Sequence, residues 1–393
     1  MSTPFPETLA IPATVGSIAR RLAEAGHAVW CVGGAVRDNL LGLPNHDFDL
    51  ATSATPEQVI ALFRRTVPVG VEHGTVAVLD DDGVPHEVTT FRRDVRTDGR
   101  HAVVEFGADL DEDLARRDFT VNAIAYHPLT GEWRDRFGGA DDLAARTLRA
   151  VGDPAQRFRE DYLRILRLLR FMARFGFRAD PDTWQAAVAE APGLAHLSAE
   201  RVRDEWFKGL MSARAAGRLI GLWREVGALD IWIDGAGDRG PDAEETADCL
   251  QPAGPVVTTA WLTDDPARAL RRLKCSNAEV ERGRRIALHR EQIPQPRNAT
   301  VVRRWLARVG PAWDDLVRIA EAEGTSPGLR VAVNAARSSG VPLAVGDLAV
   351  SGDDLMAAGV QQGPAVGETL RRLLDVVLDD PRKNSRDQLL SLV

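Results

Sequence analysis

Near residue 153 the hydrophobic pattern of this 393-residue chain changes its period, and few features constrain its fold more. Upstream, apolar runs of strand length alternate with short helical stretches. Downstream, apolar residues recur at steps of three and four. Such a chain is expected to make a small mixed α/β head followed by an elongated, all-helical remainder. In the first part, "AVWCVGG" reads as a strand running into glycines, "AVRDNLLG" as a short helix ended by Gly42, and "DFDLAT" as the next strand. "TPEQVIALF" opens a helix, with Thr55 at the cap, Pro56 first inside and Gln58 at the capping-box position. "TVAVLDDDGVPHEVTTF" reads as two strands around the turn "DDDG". The polar stretch 92–113 is weakly patterned and reads as a mobile loop. From Asp153, Phe158, Leu163 or Ile165, Leu166, Leu169, Met172 and Phe175 form a helical apolar stripe closed by Gly176. No repeat of fixed period is present.

Composition narrows the function less than it narrows the fold. The net charge of −8 argues against a uniformly basic nucleic-acid coat. Of the 49 Lys and Arg residues, 46 are arginine. A high-GC coding bias would produce that, and so would a need for planar phosphate and base recognition. No run of about 18 apolar residues suggests a membrane span. The N-terminus carries no basic-then-apolar leader pattern. Cys31, Cys249 and Cys275 lie far apart without zinc or disulfide spacing, so a reducing cytoplasm is expected.

The chemistry is concentrated in "GGAVRDNLLGLPNHDFDLAT", residues 33–52. On a strand, Asp47 and Asp49 point to one face while Phe48 points into the head. Two such carboxylates suit Mg²⁺, which completes its shell with water and phosphates. A D-x-D alone is more often a solvated turn or a cap. Here Gly33 and Gly34 lie where a strand meets a helix N-terminus, a place where backbone N–H groups can hold phosphate oxygens, although a glycine pair also serves a plain tight turn. Arg37, one helical turn in, can reach the same anion. Glu87, in "HEVTTF", is either a surface glutamate or a third carboxylate on a strand beside the D-x-D strand. Three carboxylates converging beside a phosphate cradle would make a two-metal nucleotidyl-transfer site.

With those residues in hand, the chain resembles the class II tRNA nucleotidyltransferases, the CCA-adding enzymes and their bacterial poly(A) polymerase relatives. "GGAVRDNLLG…HDFDLAT" is similar to that family's first motif, "RRDFTVNAIAY" to its second, and "EDYLRILRLLR" to its nucleotide-selecting segment. The order and spacing agree over 28–180, and the closing "GDDLMAAGVQQGP…LLDVVLDDPRKN" resembles the family's tail. The resemblance implies an α/β nucleotidyltransferase head (a small mixed sheet with helices) followed by an elongated all-α neck, body and tail. The corresponding segments are a catalytic head at 1–150, a nucleotide-selecting neck at 151–215, a helical body at 216–310 and a tRNA-binding tail at 311–393. It further implies Mg²⁺ on Asp47 and Asp49, with Glu87 assisting the attacking 3′-hydroxyl. Gly34, Arg37 and Arg117 would contact the nucleotide, with Asp118 and Asn122 near the ribose. Read without the resemblance, Arg116 and Arg117 are a solvated basic pair and Asp118 is a cap.

"EDYLRILRLLR" also carries a physical argument. Asp161, Arg164 and Leu168 fall on one helical stripe, and Glu160, Arg164 and Arg167 on its neighbour. An exposed, salt-bridged helix face would look the same. Cytosine and adenine each present an exocyclic amine donor beside a ring-nitrogen acceptor, whereas uracil and guanine present a carbonyl and a ring N–H. A carboxylate only accepts and a guanidinium only donates, so Asp161 with Arg164 would suit C and A and mismatch U and G. Each buried mismatch costs about 1–3 kcal/mol. Arg167 and Arg170 would hold the selecting helix or reach the phosphates. In the family, a flexible loop at the position of 92–113 is associated with adding the final A, and enzymes that add only CC are shortened there. This chain keeps a full-length stretch, which favours complete CCA addition.

The expected partners are therefore the tRNA 3′ end, ATP and CTP, with no membrane and no protein partner evident. Candidate phosphate contacts are "RRLK" at 271–274, "RGRR" at 282–285, "RR" at 303–304 and 371–372, and "RKN" at 382–384, each of which equally suits a soluble helix face. The tryptophans suit core packing better than base stacking. Some family members carry a metal-dependent phosphohydrolase domain marked by a His-Asp pair. The single His-Asp here, at 46–47, lies within the head motif, so no such domain is expected. Two further readings stay open: an A-adding enzyme or poly(A) polymerase, and a catalytically inactive RNA-binding protein.

Overall fold

The computed structural model describes residues 5–43, 45, 47–70, 74–97, 102–233, 235–236, 239 and 242–393. The chain divides into two compact units, Met1–Trp232 and Ile233–Val393. This division falls within the segment 216–310 that the sequence reading treats as one body.

In the first unit, seven strands among the described residues form one mixed sheet. They are β1 (Val29–Val32), β2 (Asp49–Thr52), β3 (Thr66–Gly70), β4 (Thr75–Leu79), β5 (Pro85–Thr90), β8 (Ile124–Tyr126) and β9 (Trp133–Asp135). Their order is β3-β4-β5-β2-β1-β8-β9. β2 runs parallel to β5 and antiparallel to β1. The central strands bury Val29, Cys31, Leu50 and Val88 completely, so their inner faces are near-continuous apolar rows. Pro68 is tolerated because β3 is an edge strand, where a missing N–H breaks no ladder. The expected β4–β5 hairpin is present, with Asp80 accepting from the Val84 and Asp82 N–H groups in its turn.

Helices α1 (Ala13–Glu24), α2 (Gly34–Leu40) and α3 (Pro56–Leu62) join these strands. The cap of α3 is the one read from the sequence: Thr55 accepts from Gln58 N–H, and Thr55 N–H donates back to the Gln58 side chain. Two local expectations need correction. First, residues 92–113 are not an irregular loop. β6 (Arg92–Thr97) and β7 (Ala102–Phe106) pair antiparallel through a bulge, and α4 (Leu110–Ala115) follows, capped by an Asp109–Glu112 box. Of the polar side chains that hid the pattern, Arg93 pairs across the strands with Glu105 at 2.9 Å. Residues 98–101 lie outside the described residues.

Second, the helical stripe from Asp153 is not continuous. After α5 (Gly139–Ala144), α6 (Pro154–Glu160) stops and α7 (Leu163–Phe175) begins, with Asp161 in an extended conformation between them (φ −155°, ψ 103°). The apolar stripe survives the break: Phe158, Ile165, Leu166 and Leu169 are all fully buried. α7 ends at Gly176, whose left-handed φ of 70° fits a residue without a Cβ. α8 (Pro181–Glu190), the 3₁₀ turn Ala191–His196 and α9 (Ala199–Ser212) follow, and α9 packs on α7.

The second unit is built of helices, including Ala243–Leu250, Pro255–Leu262, Asn277–His289, Ala299–Val309, Trp313–Ala322 and Pro364–Asp379. Trp206 and Trp223 in the first unit and Trp261 and Trp305 in the second are buried, in line with core packing. Among the described residues, no helix is long and apolar enough to cross a membrane.

Candidate active site

The register of the sheet decides whether the carboxylates can act together. β2 and β5 align Leu50 with Val88, both fully buried, so Asp49 and Glu87 are neighbours on the opposite face. Asp47 precedes the strand, which begins at Asp49, and its N–H donates to Asn45 Oδ1 at 3.0 Å. Phe48 is fully buried, as the alternation requires. Burial, followed by the charges of Glu87 and Asp47, pushes the Asp49 carboxyl up to about 6 against the opposing pull of Arg117. Asp47 and Glu87 are exposed and flank it. Among the described residues, no three His, Cys, Asp or Glu side chains are grouped so that together they could hold a metal ion. Of the trio foreseen in the sequence, Asp49 and Glu87 share a sheet face, while Asp47 precedes the strand and acts on Asp49 through its charge.

Gly33 fits closely against Asp49. Its φ is 77°, and a Cβ there would lie 3.3 Å from Arg117 Nη1 and 3.4 Å from Asp49 Oδ2. Gly34 begins the seven-residue α2. Asp113, buried on α4, holds both neighbouring arginines, accepting from Arg116 Nη2 at 2.7 Å and from Arg117 Nη2 at 3.0 Å. Arg117 Nε is buried and meets no partner among the described residues.

Arg37 is turned inward, only 4 % exposed. It donates to Asp38 and Asn122 and lies 4.9 and 4.7 Å from the ring centres of Phe171 and Phe175. Burial lowers its pKa, although Asp38 opposes the shift. Its place in this structure is a tie between α2 and α7, reinforced by Arg174 on Asp38 at 2.9 Å. Asp118 accepts from the Asn122 side chain, from Phe119 N–H and from Arg167. Burial works against its charge, but Arg167 and those hydrogen bonds outweigh it and hold the carboxyl at about 2.

The residues that the sequence reading assigns to base selection stand at the α6–α7 break. Asp161 is not on a helical stripe with Arg164. Its Oδ1 accepts from Leu163 N–H at 3.1 Å, and its Oδ2 from Arg201 Nη2 at 2.6 Å. Arg164 binds Glu160 at 2.8 Å, the expected i, i+4 pair, and also the carbonyls of Arg157 and Arg116. Arg167 bridges Asp118 at 2.8 Å and Glu205 at 3.9 Å, and Arg170 meets Glu205 at 2.6 Å. Arg167 and Arg170 thus join α7 to the head and to α9.

Sequence reasoning missed Asp113, Arg174, Arg201 and Glu205. Asp113 was readable, since it lies three and four residues before the arginines it holds. The others act across the fold and leave no local signal. The basic clusters of the second unit take internal partners: Arg282 with Asp315, Arg284 and Arg285 with Glu281, Arg304 with Asp379 and Arg382 with Asp380.

The donor set suits a hard divalent cation. It offers carboxylate oxygens only, and Asp49 carries repulsion that a nearby positive charge relieves. The model of the poly A polymerase head domain matches residues 29–149, and that of the "probable RNA and SrmB-binding site of polymerase A" matches 176–233. These define a nucleotidyltransferase head followed by a helical RNA-binding region. The chain is 35% identical to the CCA-adding enzyme of Geobacillus stearothermophilus, across 99% of this chain and 96% of that one. The CCA-adding enzyme of Limosilactobacillus fermentum is 34% identical across 95% and 94%. The crystal structure of the Bacillus stearothermophilus CCA-adding enzyme in complex with CTP superposes with a TM-score of 0.82 at 35% identity, covering 100% of this chain and 97% of that one. The chain belongs to the bacterial CCA-adding enzyme family.

Proposed function

We propose that this chain adds CCA to the 3′ ends of tRNAs, taking the nucleotides from CTP and ATP and releasing pyrophosphate. The observation that carries the reading is the adjacency of Asp49 and Glu87 on one sheet face, in a chain similar to CCA-adding enzymes over its whole length. The primer 3′-oxygen attacks the α-phosphorus, its proton passes to Glu87 or solvent, and the bond to the β-phosphate oxygen breaks. Asp47 and Asp49 would hold Mg²⁺, which when bound eases ionisation of the hydroxyl and supports the leaving pyrophosphate. Arg117, with its unpartnered buried Nε beside Asp49, and the Gly33–Gly34 turn face the phosphates, with Arg37 braced behind them. Asp118 and Asn122 stand at the ribose.

Asp161 accepts the exocyclic amine and Arg164 donates to the ring nitrogen. Binding of the base displaces a carbonyl contact of Arg164, so selection is coupled to a small local rearrangement. The stretch 92–113 is the element that lets one pocket add C and then A. The division of labour follows the segments 1–150, 151–215, 216–310 and 311–393. Primer extension on a tRNA lacking CCA, one nucleotide at a time, tests the reading. Two C additions followed by one A are expected. Use of ATP but never CTP would make the chain an A-adding enzyme or poly(A) polymerase, and binding without extension would make it an inactive RNA-binding protein.

A further inference from the structure

The sheet does not hold Asp47. The β1–β2 ladder ends at the pair Val32–Asp49, so Asp47 stands two residues beyond the last rung, on an exposed segment. Its carboxylate must nevertheless stay close to Asp49, on which its charge acts. A connecting segment is mobile unless its backbone is fixed by other contacts, so the direction of Asp47 has to be set from outside the ladder.

Asn45 supplies the contact. Its Oδ1 accepts from the Asp47 N–H at 3.0 Å, and its Nδ2 donates to Asp38 Oδ2 at 3.3 Å. Only one orientation of the amide satisfies both, since turning it over would set oxygen against carboxylate and NH2 against N–H. The Asn45 carbonyl is held as well. It accepts from Asn39 Nδ2 at 2.8 Å, and the same Nδ2 donates to the Ala35 carbonyl within α2. The far end of the chain of contacts is fixed on both oxygens. Asp38 is buried, its Oδ1 accepts from Arg37 Nε and Nη2 at 2.8 and 2.6 Å, and its Oδ2 accepts from Arg174 Nη2 of α7 at 2.9 Å. A route of side-chain contacts thus runs from buried α2, through Asp38 and Asn45, to the backbone of Asp47.

We propose that Asn45 is a positioning residue for metal binding: it aims the Asp47 carboxylate from the Asp38 anchor and touches neither metal nor nucleotide. The inference rests on the reading of Asp47 as a Mg²⁺ ligand. Asn45 grips the backbone N–H, so its hold leaves both carboxylate oxygens of Asp47 to the cation. Mg²⁺ demands near-ideal octahedral geometry at about 2.0–2.1 Å, and a ligand that wanders meets that demand only part of the time. Removing an outer hydrogen-bond partner of a metal ligand typically costs about 10–100-fold in metal affinity. The amide is the chemistry this place requires. A carboxylate at 45 would set a second negative charge against Asp38, and an apolar side chain would make neither bond.

The test has two readouts on the full chain: Mn²⁺ binding without nucleotide, followed by electron paramagnetic resonance of the free ion, and the Mg²⁺ dependence of single-nucleotide addition from CTP to a tRNA lacking CCA. The parent is compared with Asn45→Ala, Asn45→Asp, Asn39→Ala and Asp47→Ala, the last of which marks the Mn²⁺ binding that belongs to this site. Asn45→Ala is expected to weaken that binding about tenfold or more. The Mg²⁺ concentration for half-maximal rate should rise by the same factor, while kcat at saturating Mg²⁺ and KM for CTP stay close to the parent's. Asn45→Asp keeps an acceptor for the Asp47 N–H but repels Asp38, and should bind as weakly as Asn45→Ala. Asn39→Ala should shift both readouts the same way by a smaller factor. A fall in kcat at every Mg²⁺ concentration with unchanged Mn²⁺ affinity would mean a merely structural role and overturn the proposal. If Asp47→Ala loses Mn²⁺ while both Asn45 variants bind it like the parent, the positioning role is wrong and the reading of Asp47 stands. If Asp47→Ala itself binds Mn²⁺ like the parent, both are overturned.

Discussion

Replacing Asp118 with Asn probes the charge network behind the site. Asp118 is 8 % exposed and its carboxyl is held at about 2, so its ionised form is favoured in the folded chain relative to an ordinary aspartate. Against an unfolded value near 3.8, the shift is about 2 units, or roughly 2–3 kcal/mol at ~1.36 kcal/mol per unit. The sign follows from linkage. A depressed carboxyl stabilises the fold above the unfolded value and ceases to do so as pH falls through the folded one. The contribution is therefore complete at pH 7, reduced to about half near pH 3, and nearly gone below pH 2. Asn keeps an oxygen for the Phe119 N–H and the Asn122 amide but loses the ion pair with Arg167. Calorimetry of Asp118→Asn should show the transition of the first unit lowered by about 5–10 °C at pH 7, with the gap to the parent closing as the pH is taken to 3. A gap that stays constant from pH 7 to pH 3 would refute the electrostatic account and leave only altered packing.

Three further outcomes follow from the same geometry. Asp49→Asn should abolish nucleotide addition while leaving tRNA affinity, measured by filter binding, nearly unchanged; retained addition would remove Asp49 from the metal assignment. Arg164→Ala should weaken discrimination against UTP by about tenfold, the worth of one mismatched hydrogen bond, and a variant as selective as the parent would sink the base-edge scheme. Gly139→Ala places a Cβ 2.3 Å from the Thr120 carbonyl oxygen and 2.8 Å from Ile124 Cγ1. It should cost about 1–3 kcal/mol in thermal or urea unfolding, and unchanged stability would show that α5 shifts freely.

Much of the head was legible because its signals are local. The Thr55–Gln58 capping box, the "DDDG" turn, the buried Phe48 between two carboxylates and the left-handed Gly176 each depend on a few neighbouring residues, and the structure shows all four. The stretch 92–113 was misread because β6 is almost wholly polar and β7 carries a charge that pairs with it, so neither strand shows a clean alternation. The break at Asp161 was missed for a different reason. The apolar stripe runs through it in helical phase, and only the backbone of Asp161 departs from the helical region.

The sequence by itself determined the period change near residue 153, the head motif, and which side chains are candidates for the chemistry. Hydrophobic period and turn chemistry are properties of short stretches, and they read the same in any context. Tertiary structure decided which of those side chains face one another. The parallel pairing of β2 with β5 put Glu87 beside Asp49, α7 brought Arg167 to Asp118, and α9 brought Arg201 to Asp161. Each of these depends on strand register or helix packing between segments distant in the chain, and a shift of one residue in the strand pairing would have sent Glu87 to the other face.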